Sequence, residues 1–216
     1  MIDKKSVLIL EDHPVYRYGL VEFINSQPDL MVCGEAGSAT EALGIIEEAG
    51  PDVAVVDLSM EGLTGIDFIK AVKNLGFKIP ILVLSMHDES LYAERVISAG
   101  ASGYIMKLEE PKAIVDAIKT VLAGEIYLSA KLLSRLATRA VGMGGKQVDS
   151  PVERLTDREL EILLLIAAGK RTGEIAQKLC LSPKTIGAHR ENMKQKLGLK
   201  TSSELSIFAL DWAKSR

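Results

Sequence analysis

Cysteine is nearly missing from this chain: Cys33 and Cys180 are the only two, and both fall within apolar stretches. Two lone thiols build no disulfide framework, so the fold must rest on its apolar core in a reducing compartment. Histidine is almost as scarce. His13, His87 and His189 lie far apart with no ligand spacing, which argues against a zinc site. No apolar run approaches the roughly 20 residues of a membrane-spanning helix. No signal peptide opens the chain either, since Met1-Ile2-Asp3-Lys4-Lys5 leads straight into a short strand. A G-x-G-x-x-G turn after that strand, the mark of a dinucleotide site, is also lacking. The reading is a cytoplasmic protein without membrane contact.

What is present is an ordinary globular balance, 47% hydrophobic and 25% charged, which argues against disorder. The charge is unevenly spread. Residues 1–150 hold 14 Lys/Arg against 21 Asp/Glu, whereas residues 151–216 hold 12 against 8. An acidic front half joined to a basic tail implies two modules, the second suited to nucleic acid.

The front half alternates strand-like and helix-like segments. Strands are expected at 6–10, 31–36, 53–57, 81–85 and 103–107, and helices near 14–26, 39–49, 64–75, 89–99 and 111–123. Ser38 suits a helix N-cap, Gly50-Pro51 and Gly100 suit helix ends, and Pro111 suits a first helical turn. Five strand–helix units in series give an α/β fold, a doubly wound five-stranded parallel sheet. A further helix at about 129–140 carries Leu132, Leu133 and Leu136. A Gly-rich stretch, 141–151, then reads as a flexible tether. The expected division is therefore 1–124, a linker 125–151, and 152–216.

Two apolar runs stop on acid. Val7-Leu8-Ile9-Leu10 ends on Glu11-Asp12, and Val53-Ala54-Val55-Val56 ends on Asp57. Buried parallel strands read as such runs, and their carboxyl ends are where open α/β sheets place ligands. Carboxylates gathered there repel one another unless neutralised, and a hard divalent cation such as magnesium suits their oxygens. Two more strand ends add polar groups: Ile81-Leu82-Val83-Leu84 ends on Ser85, and Tyr104-Ile105-Met106 ends on Lys107. Taken alone, Ser85 reads as a cap and Lys107 as a surface charge. Together, a hydroxyl and a cation on one rim suit the oxygens of a phosphoryl group on Asp57. His13 and His87 line the pocket mouth or cap helices.

This set resembles the receiver domain of bacterial two-component response regulators, over residues 5–124. The resemblance implies a flavodoxin-like fold in which Asp57 is the phosphoacceptor, attacking a phosphohistidine on a sensor histidine kinase. It implies that Glu11 and Asp12 hold Mg2+ with Asp57 and the backbone carbonyl of Ser59. Ser85 and Lys107 would bind the phosphoryl oxygens, and Tyr104 would be the aromatic that reorients when Ser85 moves. Two positions depart from the family pattern. Glu61 stands where proline is frequent, which loosens that loop, and Leu108 follows Lys107 where many receivers have proline, which excludes a cis-proline there. A phosphatase of the haloacid dehalogenase type would want a second Asp at the position of Ser59, so a stand-alone hydrolase is disfavoured.

The tail reads as four helices, 157–168, 172–179, 183–197 and 202–213. Thr156 with Glu159 forms a capping box, and Ser182-Pro183 is a cap followed by proline at the first helical position. The short second helix, the turn at Cys180-Leu181-Ser182 and the longer basic third helix form a helix-turn-helix pattern. Residues 170–200 carry eight Lys/Arg against Glu174 and Glu191, which suits phosphate contact. Ile175, Leu179, Ile186, Met193 and Leu197 read as core. From Leu155-Thr156-Asp157-Arg158-Glu159 to Lys196-Leu197-Gly198-Leu199, this region resembles the LuxR-type DNA-binding domain. Receiver plus this output resembles the NarL/FixJ class, which implies a transcriptional regulator and not an enzyme. By that resemblance 183–197 enters the major groove of double-stranded DNA, with Lys184, Thr185, Arg190 and Lys194 near it. Gly187, Ala188 and Glu191 face outward and offer few base contacts, so part of the readout would rest on DNA shape. Leu205, Phe208, Ala209 and Trp212 form either a dimerisation surface or the core of the last helix. The implied partners are the kinase, DNA, a second copy when active, and RNA polymerase. The opposite charges of the halves and the tether suggest that the unphosphorylated receiver covers the recognition helix.

Overall fold

The computed structural model describes residues 4–60, 64–140 and 151–214. Its front unit is built on five short strands: β1 (Lys5–Leu10), β2 (Leu30–Ala36), β3 (Val53–Val56), β4 (Ile81–Ser85) and β5 (Gly103–Met106). All pair in parallel, in the order β2-β1-β3-β4-β5. Between and after them run α1 (Pro14–Asn25), α2 (Ala39–Ala49), α3 (Gly65–Asn74), α4 (Glu89–Ala99) and α5 (Pro111–Leu122). Alternate strand residues point to opposite faces. Val7, Ile9, Val53, Val55, Leu82, Leu84 and Ile105 pack under α1 and α5 in one buried cluster. The intervening residues, among them Leu8, Leu10, Ala54, Val56 and Val83, are buried as well. They fall to α2, α3 and α4, which pack one beside the next. Burial on both faces is why these strands read as unbroken apolar runs.

The cap expected at Ser38 forms, its hydroxyl accepting from the Glu41 N–H. A reciprocal capping box of Thr64 with Asp67, not expected from the sequence, starts α3. His13 caps α1, its ring accepting from the Tyr16 N–H, which settles that histidine as a helix cap.

The chain order reverses between β1 and β3, so their carboxyl ends lie together at the switch point of the sheet. Leu10 pairs with Val56, and the Asp57 N–H donates to the Leu10 carbonyl at 2.9 Å. Gly65, the first residue of α3, lets that helix return over the loop after β3. A Cβ on it would lie 2.3 Å from the Asp57 carbonyl oxygen and 2.9 Å from Leu58 Cα. Nothing in the local sequence pattern signals this contact.

The segment after α5 does not leave the front unit, which extends over Met1–Ala140. Tyr127 bridges to Gly103, accepts from the Tyr104 N–H at 2.9 Å and donates to the Ser102 carbonyl at 3.1 Å. The next helix, α6 (Ala130–Ala140), is capped by Ser129, whose hydroxyl also bonds Glu89 of α4. Leu128 and Leu132 are buried, whereas Leu133 is exposed, so only part of the expected apolar face is used. Residues expected as linker are thus bound to the unit they follow. The Gly-rich stretch lies outside the described residues except for Pro151, and Glu61 lies outside them too.

The second unit, Val141–Arg216, is helical: a 3-10 turn (Pro151–Arg154), α7 (Asp157–Ala167), α8 (Thr172–Lys178), α9 (Pro183–Leu197) and α10 (Ser202–Lys214). Val152, Leu155, Leu160, Leu163, Ile175, Leu179, Ile186, Met193, Leu205 and Ala209 form its core. One charged side chain is buried among them. Glu159 accepts from the Thr156 N–H at 2.8 Å and pairs with Lys196 Nζ at 2.6 Å, tying the start of α7 to the end of α9. No helix among the described residues is long and apolar enough to cross a membrane.

Three outcomes follow from this packing. Gly65→Ala forces backbone to move and is expected to destabilise by about 1–3 kcal/mol. Gly44→Ala, inside α2 with nothing beyond its own helix backbone and chain neighbours within 4 Å of the new methyl, is expected to stabilise by about 0.5–1 kcal/mol; urea unfolding curves give both signs. Burial acts to raise the Glu159 pKa, but Lys196 and the Thr156 N–H outweigh it and hold the carboxyl below its ordinary 4.5. A depressed folded pKa contributes stability above 4.5 that is lost as pH falls through the folded value. Thermal midpoints of the wild type should therefore fall more steeply below pH 4.5 than those of Glu159→Gln.

Candidate functional site

Five polar side chains meet at the carboxyl edge of β1, β3, β4 and β5. Glu11, Asp57 and Ser85 are buried, and Asp12 is half-buried. Oxygens of Glu11, Asp12 and Asp57 all lie within 4.8 Å of one another. Lys107 reaches in from the turn after β5 and places Nζ 2.6 Å from Glu11 Oε2 and 2.9 Å from Asp57 Oδ2. Its own N–H donates to the Ser85 carbonyl at 2.8 Å, which fixes where that turn begins. Leu108 follows in the same turn and is exposed.

The electrostatics leave a gap. Three carboxylates face one ammonium, and Asp57 Oδ1 is buried with no hydrogen-bond partner among the described residues. An orphaned buried carboxylate oxygen costs free energy unless something pairs with it. Burial raises the Glu11 pKa more than Lys107 lowers it, and the Asp57 charge adds to the rise. Burial acts to lower the Lys107 pKa, but the Glu11 hydrogen bond and the Asp57 charge outweigh it, so the ammonium is held charged. An all-oxygen donor set with excess negative charge fits a hard divalent cation.

The mouth of the pocket is framed by Ser59 and His87. Ser59 Oγ lies 2.8 Å from His87 Nε2, and the His87 N–H donates to Ser85 Oγ at 3.1 Å. His87 stacks on Tyr92 and therefore lines the mouth. Tyr104 is buried, and its hydroxyl donates to the His87 carbonyl at 2.6 Å. Burial pushes its phenol far above the usual range, Ser85 opposing.

Sequence patterning missed two side chains of α1. The Tyr16 ring lies under Lys107, with Nζ 4.5 Å from its centroid. Arg17 Nη1 donates to the Glu11 carbonyl at 2.6 Å and Nε to Glu35 at 3.3 Å. Their position in the turn right after Glu11-Asp12 was the available signal.

In the second unit, Lys184 is exposed on the first turn of α9 and Arg190 is half-buried. The Thr185 hydroxyl pairs with Ser182 Oγ at the helix cap. Lys194 is only 13% exposed and bonds Glu191 at 2.9 Å, so it does not stand out as an unpaired cation. On α10, Leu205 and Ala209 are fully buried within the unit and cannot also form a free surface. Phe208 and Trp212 are half-buried, and the large apolar side chains exposed there are Ile207 and Leu210.

Comparison with known proteins matches both units. Residues 7–119 match the family model of the response regulator receiver domain, and 153–209 match that of bacterial regulatory proteins of the luxR family. The transcriptional regulatory protein LiaR of Bacillus subtilis is 37% identical over 205 residues, 94% of this chain and 95% of LiaR. Among solved structures, the response regulator RcsB of Salmonella typhimurium, described for its conformational dynamism in DNA interaction, covers 99% of this chain and 98% of its own. That pair is 26% identical, with a TM-score of 0.70. RcsB from Salmonella enterica serovar Typhimurium, bound to promoter P1flhDC in the presence of phosphomimetic BeF3-, covers 96% and 98% at 27% identity, with a TM-score of 0.65. A parallel sheet with an acidic edge, followed by a helix-turn-helix unit and matched over nearly its whole length by such relatives, places the chain among the two-component response regulators with a LuxR-type output, a family of DNA-binding transcriptional regulators.

Proposed function

We propose that this regulator accepts one phosphoryl group on Asp57 from a phosphohistidine of a sensor kinase, and that the modification promotes DNA binding as a dimer. The observation that carries this is the buried Asp57 carboxylate, with Oδ2 on Lys107 and Oδ1 without a partner among the described residues. A nucleophile needs an oxygen not already engaged, and among the described residues none engages Oδ1.

In the transfer, an Asp57 oxygen forms a bond to phosphorus while the P–N bond to the imidazole breaks. The bonding pair leaves on the ring nitrogen, and a ring protonated on its other nitrogen departs neutral. Glu11, Asp12, Asp57 and the Ser59 carbonyl would hold magnesium, which when bound offsets charge on the phosphoryl oxygens. Lys107 shifts from Asp57 Oδ2 to one phosphoryl oxygen, and Ser85 Oγ donates to another. That pull takes Ser85 away from the His87 N–H, to which it is bonded in this structure. Tyr104, whose hydroxyl holds the His87 carbonyl, then loses its anchor and turns into the vacated space. The added charge is about −1.5 to −2 at the sheet edge.

On DNA, α9 lies in the major groove, with Lys184, Thr185 and Arg190 near the duplex and Lys194 joining once it leaves Glu191. The dimer surface of α10 is drawn from Ile207 and Leu210, with Phe208 and Trp212 at its margin. A cytoplasmic location and contact with RNA polymerase belong to the same reading. The RcsB structure on promoter DNA with a phosphomimetic supports it by similarity.

Incubation with acetyl phosphate and magnesium should add one phosphoryl group by intact mass, and neither Asp57→Ala nor chelated wild type should gain any. Mobility shifts on genomic fragments should show wild type tightening by about 5- to 150-fold on phosphorylation, the usual span of allosteric coupling. Equal affinity of wild type, Asp57→Ala and the phosphorylated form would sink the proposal.

A further inference from the structure

The contact between Tyr16 and Lys107 has no part in the scheme above. Lys107 Nζ stands over the Tyr16 ring at 4.5 Å while pairing with Glu11 and Asp57. The Tyr16 ring packs against the apolar cluster under α1 and α5, and its backbone N–H is tied to the His13 cap. The next residue, Arg17, grips the Glu11 carbonyl. The first turn of α1 therefore braces the cation and the backbone of its carboxylate partner together.

The geometry points to Tyr16 as a positioning residue for phosphoryl transfer, holding the Lys107 ammonium in the pocket through its ring face. The inference rests on the phosphoacceptor reading of Asp57. Its physical reason is a conflict over charge. A divalent cation held by Glu11 and Asp57 would offset the negative charge that pairs with Lys107 and would repel the ammonium. Without another attractor the lysine would swing into water before the phosphoryl oxygens arrive. An aromatic face attracts a cation through its quadrupole and carries no net charge for a metal to neutralise. Lys107 can then pivot from Asp57 to the phosphoryl group without leaving the pocket.

The test is phosphorylation kinetics of the full chain with acetyl phosphate and magnesium. Tyr16→Phe keeps the ring and should phosphorylate within about twofold of wild type, whereas Tyr16→Leu keeps only apolar bulk and should slow by about 3- to 10-fold, the size of a partly buried cation–π contact. In a Lys107→Met background, Tyr16→Leu should cost nothing further, since the cycle isolates the pairwise coupling. Wild-type rates in Tyr16→Leu, equal losses in the Phe and Leu variants, or an undiminished loss without Lys107 would each overturn the inference. Failure of wild type itself to take up phosphate would instead overturn the reading of Asp57.

Discussion

Pairing of β1 with β3 sets the carboxylates of Glu11 and Asp57 side by side, and the Lys107 ammonium bonds both. Much of the front unit serves that close grouping of charge. The Ser85 carbonyl receives the Lys107 N–H, α1 braces the lysine and the Glu11 backbone, and Gly65 allows α3 to close over the Asp57 carbonyl. Buried ion pairs tend to break even against apolar packing, so the pair is weak evidence for stability. Its sense is chemical. It fixes Asp57 Oδ2 on the lysine and leaves Oδ1 with no hydrogen-bond partner among the described residues.

The acidic edge was legible because buried strands announce themselves as apolar runs and the residue after each run falls on one rim. The parallel sheet followed from the same runs alternating with capped helices. Tyr16, Arg17 and Gly65 were not legible, because each acts through a contact made only when a helix returns onto the strand before it. The fate of Leu205 and Ala209 was ambiguous for a related reason. A helix of this composition can bury one apolar stripe and present another, and only the packing against α7 and α9 tells which is which.

Charge in the helix-turn-helix unit divides into two uses that the sequence cannot separate. Lys196 ties α9 to Glu159 and Lys194 bonds Glu191, so both serve the fold in this structure. Lys184 on the first turn is exposed instead. The count of basic residues therefore overstates the cations that stand ready for a polyanion before any of these pairs is broken.

Tyr127 gives the sheet something besides a continuation of the chain. β5 ends the strand order, and an edge strand offers unpaired amides and carbonyls to any other chain that can pair with them. Tyr127 occupies those groups at Ser102 and Tyr104, and Gly103 has no side chain to hold it off. The approach to the linker thus doubles as an edge guard, and a front unit trimmed back to 124 would be bare along the border where sheets most readily aggregate.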